Sequence, residues 1–367
     1  MKKILFYLLI GASFISQSCM NDNEDPVAVV PSEGVAVEPA VNGAAQPNQV
    51  WIDLSDVDLN GQPKQSINKR TDWDFAFYAG NEFKVVLNSS IMMAAAKIPN
   101  ISDIETVKEA DVTNLKTQVQ VANFNPANTK YIDDVTGNFP SGYTAIEEIK
   151  ADPSDNAVYL VNLGKDIFTG NIPLGAAVTT GTERGWIKLQ VIREAGDYKI
   201  RYGELNATGE KIKEAVIKKN NVYNYTFFNS KTGKEVRIQP EKSKWDICFT
   251  VFTNIIPGAG SYIYADFVSI NNLGNTSAYE VKVASGSMVE AFNKFKKADV
   301  DDSKLVHNEQ RVIGGNWREL NPSGSKVSGD VFYIIKDASG AYYKVRFVKL
   351  TDKKGERGYP MFQYKAL

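Results

Sequence analysis

The chain has 367 residues, and 42 basic residues nearly balance 43 acidic ones, which gives a formal net charge of -1. The charges are well mixed and form no basic block that could follow a phosphate backbone, which argues against nucleic acid as a partner. The 17 Tyr and 18 Phe, with many short runs of Val, Ile, Thr and Tyr, favour β-sheet packing.

The N-terminus has the three parts of a secretory signal peptide. Lys2 and Lys3 precede an apolar run from Ile4 to Ile10, and mostly small residues follow as far as Ser18. The apolar run is far shorter than the ~20 residues that a membrane-spanning helix needs. We therefore predict a signal peptide over residues 1–18 that is removed from the mature protein.

Cys19 follows this segment directly, and the sequence around it resembles a bacterial lipoprotein signal of the looser kind found in Bacteroidota. The resemblance implies cleavage before Cys19, with a diacylglycerol on its thiol and a third acyl chain on the new amino group. Several acyl chains hold a protein firmly at a membrane, because each buried CH₂ contributes roughly 0.8 kcal/mol. The alternative is an ordinary secretory signal with an incidental cysteine.

An acidic and flexible segment is expected after the cysteine. Asp22, Glu24 and Asp25 resemble the surface-export tag of Bacteroidota lipoproteins, and the alternative is a solvated linker. Residues 19–48 are rich in Pro, Ala, Val, Asn and Glu and lack a helical or strand period, so we predict a lipidated flexible tether.

Roughly 320 residues remain after the tether, which is too many for one comfortable core and indicates two domains. Cys248 is their single cysteine, so no internal disulfide can form. It lies in an apolar strand-like run, which favours a buried and inert thiol over a reactive one.

One pattern occurs twice along the chain: an aromatic strand, a polar turn, a second strand and a strand that begins Trp-Asp. The Trp-Asp strands start at Trp73 and Trp245. Three closing segments then match in the same order, namely 157–164 with 330–337, 185–194 with 341–350, and 197–205 with 358–367. Repetition at such a long period indicates duplicated domains rather than a solenoid. We predict domains over 49–210 and 221–367, with the boundary in the Lys-rich stretch 207–221.

Helices are expected to be few. Ser102 with Glu105 three residues on forms a capping-box pattern before residues 103–119. Ser287 precedes Met288 and an apolar stripe at helical spacing in the second copy. The predicted fold is mostly β, with two related antiparallel domains and a few short helices. Each Trp of the Trp-Asp pairs should fill a core, while the Asp meets solvent or a turn donor.

The order of elements over 223–249, together with the closing strands over 341–350 and 358–367, resembles the HmuY family. The C-terminal half carries the clearer resemblance, and the N-terminal half resembles a degenerate second copy. The resemblance implies a non-catalytic outer-membrane lipoprotein of Bacteroidota that is exposed at the cell surface. Such a protein takes haem from host haemoproteins and passes it to an outer-membrane TonB-dependent receptor.

The resemblance also implies a haem site with two axial ligands, which are two histidines in some members and two methionines in others. Haem iron accepts His, Met, Cys or Tyr, and His307 is the only histidine, so a bis-His site within one chain is impossible. Family ligands would flank the segment 314–320, but residues 321–325 contain no good iron ligand. The candidate iron ligands are His307, Met288, Met92 and Met93. For each of them the alternative is structural: an exposed loop histidine and core methionines.

The sequence offers weaker support for catalysis and for a ligand other than haem. None of the motifs G-x-S-x-G, H-E-x-x-H, C-x-x-C, G-x-G-x-x-G or the P-loop occurs, and a catalytic triad would have to use His307. A pair of catalytic carboxylates stays open, because such groups converge only in the fold. We expect no enzyme and no metal beyond haem iron. The main alternative is a surface binding or structural lipoprotein on the same scaffold, with a host protein or a glycan as its ligand.

Overall fold

A computed structural model describes residues 34–321 and 324–367 of the chain. The predicted signal peptide, the predicted lipid-bearing Cys19 and the acidic residues after it lie outside the described residues. The tether prediction can therefore be compared with the structure only from residue 34 onwards.

The described part is built almost entirely from antiparallel strands, in agreement with the predicted fold class. In chain order they are β1 (Val35–Val37), β2 (Asn48–Val57), β3 (Pro63–Lys69), β4 (Phe75–Tyr78), β5 (Val85–Leu87), β6 (Ala94–Lys97), β7 (Val158–Asn162), β8 (Trp186–Glu194), β9 (Asp197–Gly203), β10 (Lys213–Ile217), β11 (Tyr225–Asn229), β12 (Lys234–Val236), β13 (Ile247–Ile256), β14 (Gly260–Ile270), β15 (Ser277–Lys282), β16 (Arg318–Asn321), β17 (Gly324–Val327), β18 (Val331–Lys336), β19 (Tyr342–Thr351) and β20 (Arg357–Ala366).

Helices are short, as expected, and fall between the Trp-Asp strands and the closing strands. The α-helices of the described chain are α1 (Glu109–Lys116) and α2 (Met288–Lys294). Short 3-10 helices lie at Ser89–Ile91, Ile104–Thr106, Pro126–Tyr131, Pro153–Asp155, Gly209–Lys211, Asn272–Gly274, Lys297–Asp299 and Asp302–Lys304.

The start of α2 follows the prediction, but the start of α1 does not. The Ser287 hydroxyl accepts a hydrogen bond from Glu290 N, which caps α2. The predicted cap at Ser102 is wrong. Asp103 caps a 3-10 turn instead, and α1 begins only at Glu109. Val107 is fully buried with an extended backbone between the two, and burying that side chain interrupts the helix.

The strands form two modules, each a pair of stacked sheets. The central module contains the sheets β12-β11-β4-β5 and β10-β9-β8-β7-β6. The outer module contains the sheets β3-β2-β13-β14 and β1-β20-β19-β18-β15, and β16 and β17 form a separate hairpin. The central module is continuous in sequence from β4 to β12, whereas the outer module combines both ends of the described chain.

Each copy of the repeated pattern gives its first hairpin to the other copy. Hairpin β2–β3 belongs to the first copy but pairs with β13 of the second, with Trp51 opposite Cys248. Hairpin β11–β12 belongs to the second copy but pairs with β4 of the first, with Phe228 opposite Phe75. As folding units, the modules therefore differ from the predicted domains 49–210 and 221–367.

The tether prediction is wrong for residues 34–48. Strand β1 pairs with β20 in register Val35 to Tyr364. The side chains of Val35, Val37 and Val41 are buried in the core of the outer module. The alternation of buried Val with exposed Ala36 is a strand pattern only three residues long, too short to stand out in a segment rich in Pro and Ala.

The Trp-Asp strands have the predicted packing role, and they also hold the exchanged hairpins. Trp73 packs edge-on against Phe227 at a centroid distance of 4.9 Å, and Trp245 packs edge-on against Trp51 at 4.7 Å. The partner of each Trp thus lies on the hairpin that the other copy donates. The two aromatic pairs share one cluster between the modules, which also contains the buried Cys248.

Candidate functional site

His307 lies in a loop of the outer module that is fixed on both sides. Val306 N donates to Ala278 O at 3.0 Å, and Ala278 N donates to Val306 O at 3.4 Å. Gln310 N donates to Thr136 O of the central module at 2.8 Å. The side chain of His307 is exposed between these anchors. Its imidazole is therefore accessible to a ligand on a loop that backbone hydrogen bonds hold in place.

The Gly-Gly-Asn-Trp segment after this loop, residues 314–317, is an internal anchor. Trp317 is fully buried, stacks on Phe347 at a centroid distance of 4.4 Å and donates its Nε1–H to Asp266 O at 2.9 Å. Gly314 exchanges backbone hydrogen bonds with Val268 and has a φ of 55°. A Cβ at Gly314 would lie 2.8 Å from Arg311 O, so this position favours glycine on both grounds.

A buried charged cluster lies beside Trp317. Arg357 Nη2 contacts Asp266 Oδ2, and Arg318 Nε lies 3.6 Å from the same oxygen. Gln46 Nε2 donates to Asp266 Oδ1 at 2.5 Å, which ties the N-terminal arm, defined as residues 34–47, to the cluster. Burial lowers the pKa of the Arg318 guanidinium. Two guanidinium groups thus share one carboxylate. This arrangement could not be predicted from the sequence, because its members come from distant segments.

The three candidate methionines are buried, and the structure does not bring them to one point with His307. Met288 is 7% exposed and packs with Phe292 and Leu305, two residues before His307. Met92 is 8% exposed and Met93 is 1% exposed, and they belong to two different hydrophobic clusters. Their thioethers occupy packing positions, in line with the structural alternative for each.

A large polar cleft of about 1160 Å³ opens in the central module. The half-buried ring of Trp186, at the start of β8, lies in its wall, and Lys116 Nζ is 5.4 Å from the ring centroid. Asn206 and Ser230 contribute polar groups to the same wall. An aromatic ring among amides, hydroxyls and charged side chains is suited to a polar ligand with an apolar face.

A smaller cavity of about 90 Å³ lies where the exchanged hairpins meet. Its aromatic lining residues are Trp51, Trp73, Phe139, Tyr225, Phe227, Trp245 and Phe252. Asp133 lies in its wall, and its carboxylate accepts hydrogen bonds from Leu87 N at 2.6 Å and Ala145 N at 2.8 Å. Burial outweighs these hydrogen bonds and raises the pKa of Asp133 to about 7.

Sequence reasoning found the exposed histidine but neither the cleft nor the cavity. The cavity lining comes from both hairpins, from β4 and β13, and from the loop 132–139, so no local pattern reports it. The one available signal was the repeated Trp-Asp motif, whose tryptophans line the cavity. Within the described residues no group of three or more His, Cys, Asp or Glu side chains is placed to hold a metal ion.

None of the helices in the part of the chain described by the structure has the length and apolar character required to span a membrane. Cys248 is buried with a free thiol, as expected, and burial raises the pKa of that thiol well above its usual value. The thiol is therefore held in its unreactive protonated form.

Comparison with known proteins gives a family for the whole repeated region. The sequence profile described as HmuY protein matches residues 45–223 and again residues 218–364. No curated protein matches the chain.

Three solved structures illustrate the similarity, each covering less than half of this chain. A proposed HmuY-like haem-binding protein from Bacteroides vulgatus is 14% identical over 36% of this chain and 80% of its own, with a TM-score of 0.21. Apo PinO from Porphyromonas gingivitis is 15% identical over 43% and 85%, with a TM-score of 0.22. The apo HmuY analogue of Tannerella forsythia is 19% identical over 43% and 85%, with a TM-score of 0.20.

The two profile matches follow one another and together cover the repeated region that the sequence pattern marks out. The chain therefore belongs to the HmuY family, with two copies of the family sequence in tandem.

Proposed function

We propose that the protein is a haem- or porphyrin-binding lipoprotein of the outer membrane, with His307 as the protein ligand to the iron. Membership of the HmuY family carries this proposal. Haem binding has also been proposed for the HmuY-like protein from Bacteroides vulgatus. The exposed imidazole of His307 fits the donor set of haem iron. Bound haem would supply the iron, and the chain would supply one nitrogen ligand on a fixed loop.

The burial of the methionines makes a one-ligand complex the simpler arrangement. Met288, Met92 and Met93 would each have to leave a hydrophobic cluster before the sulfur could reach iron. Truncating a buried methionine to alanine costs roughly 2–5 kcal/mol. We expect a similar cost when the intact side chain leaves its core. We therefore expect that His307, and none of the three methionines, would hold the iron.

A haemin titration tests this proposal. Haemin is added to the mature protein while the Soret and Q bands are recorded, and the same titration is run with His307→Ala and with Met288→Leu. We expect a shifted Soret band for the wild type and for Met288→Leu, and a spectrum close to that of free haemin for His307→Ala. An unchanged free-haemin spectrum for the wild type would contradict the proposal.

Iron-free protoporphyrin IX separates ligation from porphyrin binding. If its fluorescence changes equally with wild type and with His307→Ala, the protein binds the porphyrin ring and His307 acts only on the iron. If only haemin binds, and only to the wild type, the iron–histidine bond carries the affinity.

The lipid anchor is tested separately from the ligand. Cys19→Ser in the full chain should abolish incorporation of labelled palmitate and should move the protein from the membrane fraction to the soluble fraction. Surface accessibility to protease in intact cells would then distinguish an outward-facing lipoprotein from one that faces the periplasm. Palmitate labelling of Cys19→Ser would contradict the lipoprotein proposal.

The polar cleft supports a second candidate function, which is binding of a glycan on the same scaffold. Trp186 lies in its wall with Asn206 and Ser230, and stacking of a sugar face on an aromatic ring is compatible with such a wall. The chain would then be a surface binding protein with a non-haem ligand. Binding to a glycan array that is lost in Trp186→Ala but kept in His307→Ala would favour this function over haem binding.

A further inference from the structure

The cavity between the exchanged hairpins contains two polar atoms that the rest of the described structure does not satisfy. Trp245 Nε1 and Gln239 Oε1 are buried without a hydrogen-bond partner, and both residues line the cavity. Trp245 is 6% exposed and Gln239 is 8% exposed. A buried polar atom without a partner costs about 1–3 kcal/mol, so a partner within the cavity would be stabilising.

The two copies of the repeat differ at this donor: the indole N–H of one tryptophan has an acceptor and that of its counterpart has none. Trp73 is the counterpart of Trp245 in the other copy, and it donates its Nε1–H to Gln49 Oε1 at 2.9 Å. Gln49 lies on β2, and Tyr225 takes the equivalent position on β11, as the pairing registers of the two hairpins show. Trp245 therefore faces a tyrosine position where Trp73 has an amide acceptor.

The charge of the lining selects the kind of ligand. Asp133 and Asp134 line the cavity, and among its described lining residues there is no Lys, Arg or His. The neighbouring Arg311 is engaged by Glu309, with Nη2 to Oε2 at 2.6 Å. Aromatic rings attract cations through their negative faces, most strongly for Trp. Seven aromatic lining residues and two carboxylates thus favour a positive charge.

The size of the cavity limits the ligand to a small molecule. Its volume of about 90 Å³ corresponds to on the order of six to nine water-sized positions. A haem is far larger than this. A quaternary ammonium with a short alkyl arm matches the volume, and a hydroxyl on that arm can accept from Trp245 Nε1–H or donate to Gln239 Oε1.

We propose that this cavity binds a small hydroxyalkylammonium cation of the choline type, with the ammonium group against the tryptophans and Asp133 and the hydroxyl group at Trp245 and Gln239. His307 is not among the residues that line the cavity, so the proposed ligand does not use the candidate iron ligand. It uses residues from both copies of the repeat, and neither copy alone contains it.

Calorimetric titration of the full mature protein with matched ligands tests the proposal. Choline is compared with 3,3-dimethyl-1-butanol, which has the same shape and hydroxyl but no charge, and with tetramethylammonium, which has the charge but no hydroxyl. We expect choline to bind at least about tenfold more tightly than either. Equal binding of choline and the neutral alcohol, or no binding of choline because the cavity holds water only, overturns the proposal.

Phosphocholine distinguishes a free amino alcohol from a lipid headgroup that carries the same cation. The added phosphate meets Asp133 and Asp134 without a basic residue to balance it, so we expect phosphocholine to bind more weakly than choline. Equal or tighter binding of phosphocholine overturns the assignment to a free amino alcohol.

Variants locate the site on the chain. Trp245→Phe removes the Nε1–H and should weaken choline binding about tenfold, while Trp186→Phe in the polar cleft serves as the matched control and should leave it unchanged. Circular dichroism establishes that both variants fold. If Trp245→Phe does not fold, Gln239→Ala takes its place with the same expected loss. Unchanged choline affinity in a folded cavity variant overturns the proposal.

Discussion

Asp74 accepts a hydrogen bond from the backbone N–H of Ser230 at 2.8 Å, although 156 residues separate the two in sequence. The second copy repeats the contact, because Asp246 accepts from Leu54 N at 2.9 Å across 192 residues. Each Trp-Asp strand thus uses its carboxylate to hold the hairpin that the other copy donates. The motif is a connection between the two copies, which explains why the same dipeptide is needed twice.

Replacing Asp74 with Asn should strongly destabilise the protein. Asp74 is fully buried, and its Oδ1 lies 2.7 Å from Arg184 Nη1. Removing one partner of a buried ion pair leaves the other charge uncompensated, which costs about 3–5 kcal/mol. Urea unfolding followed by circular dichroism measures the loss. Asp166→Asn is the matched control, since Asp166 pairs with the same Arg184 from a mostly exposed position and should cost less than about 1 kcal/mol. Similar losses in the two variants would contradict the assigned role.

A core substitution in the first copy should loosen the outer module. Ile52 and Phe228 are both fully buried, Ile52 in the core of the outer module and Phe228 in the core of the central module. Truncation to Ala costs about 2–5 kcal/mol at such positions. Hydrogen exchange with mass spectrometry should show faster exchange in β13, β19 and β20 for Ile52→Ala.

Phe228→Ala is the reciprocal variant for the same experiment. It should speed exchange in β4, β8 and β9 although it lies in the second copy of the sequence. The exchange of hairpins would be disproved if Ile52→Ala loosened β4 to β9 and left β13 to β20 protected.

Gly358 tests the packing of the N-terminal arm. A Cβ at Gly358, whose φ is 85°, would lie 1.9 Å from Gly43 O, while Gly43 N donates to Gly358 O at 3.2 Å. Gly340 has a similar φ of 89° with nothing within 4 Å of an added Cβ. Gly340→Ala should cost about 1–2 kcal/mol for the backbone conformation alone. Gly358→Ala should cost about 1–3 kcal/mol more, because the arm must move.

Thermal unfolding of both glycine variants measures this difference. Faster proteolysis within residues 34–47 should accompany Gly358→Ala and not Gly340→Ala. Equal stability of the two variants would mean that the arm does not pack against β20 in solution.

Asp246 should make stability depend on pH near neutrality. Burial raises the pKa of Asp246 to about 7, above its usual value of 3.8. Between these two values the folded state holds up to one more proton than the unfolded state. The contribution of this group is therefore fully present below about pH 4, and it is lost as the pH rises through 7. The slope is at most about 1.4 kcal/mol per pH unit.

The variant Asp246→Asn removes this titration while it can keep the acceptor for Leu54 N. Urea unfolding at each pH measures the free energy of unfolding of both proteins. The difference between the variant and the wild type should shift in favour of the variant as the pH rises from 5 to 8. Asp155→Asn, at an exposed position, controls for the loss of one negative charge. Parallel pH profiles of the wild type and Asp246→Asn would contradict the prediction.

Much of the fold is present in local patterns, but the pairing of the two copies is not. The alternation of buried and exposed residues predicts most strands, and the repeated Trp-Asp motif predicts the duplication. The hairpin that contains Trp51 could pair equally well with Ala76 of its own copy or with Cys248 of the other, because both Trp-Asp strands carry the same pattern. Only the three-dimensional packing decides between them.

The candidate sites divide in the same way. His307 could be recognised because it is the only histidine, and its polar neighbours correctly indicated exposure. Met92 and Met93 could not be placed, since adjacent residues enter different clusters only once both faces of the sheet are covered. The cavity could not be predicted, because Asp133 is far in sequence from the connection between β12 and β13 that carries Gln239 and Trp245.

Because Val35 pairs with Tyr364, the two ends of the described chain lie side by side, and the backbone forms a ring that lacks only one short connection. Joining these two ends and opening the chain between β12 and β13 would yield a circular permutant. In that permutant the strands of the outer module would be continuous in sequence. The present order of the sequence is therefore one of several linear orders compatible with the same strand pairing. Cutting the present chain at both crossings between the modules would give three chains, two of which together form the outer module.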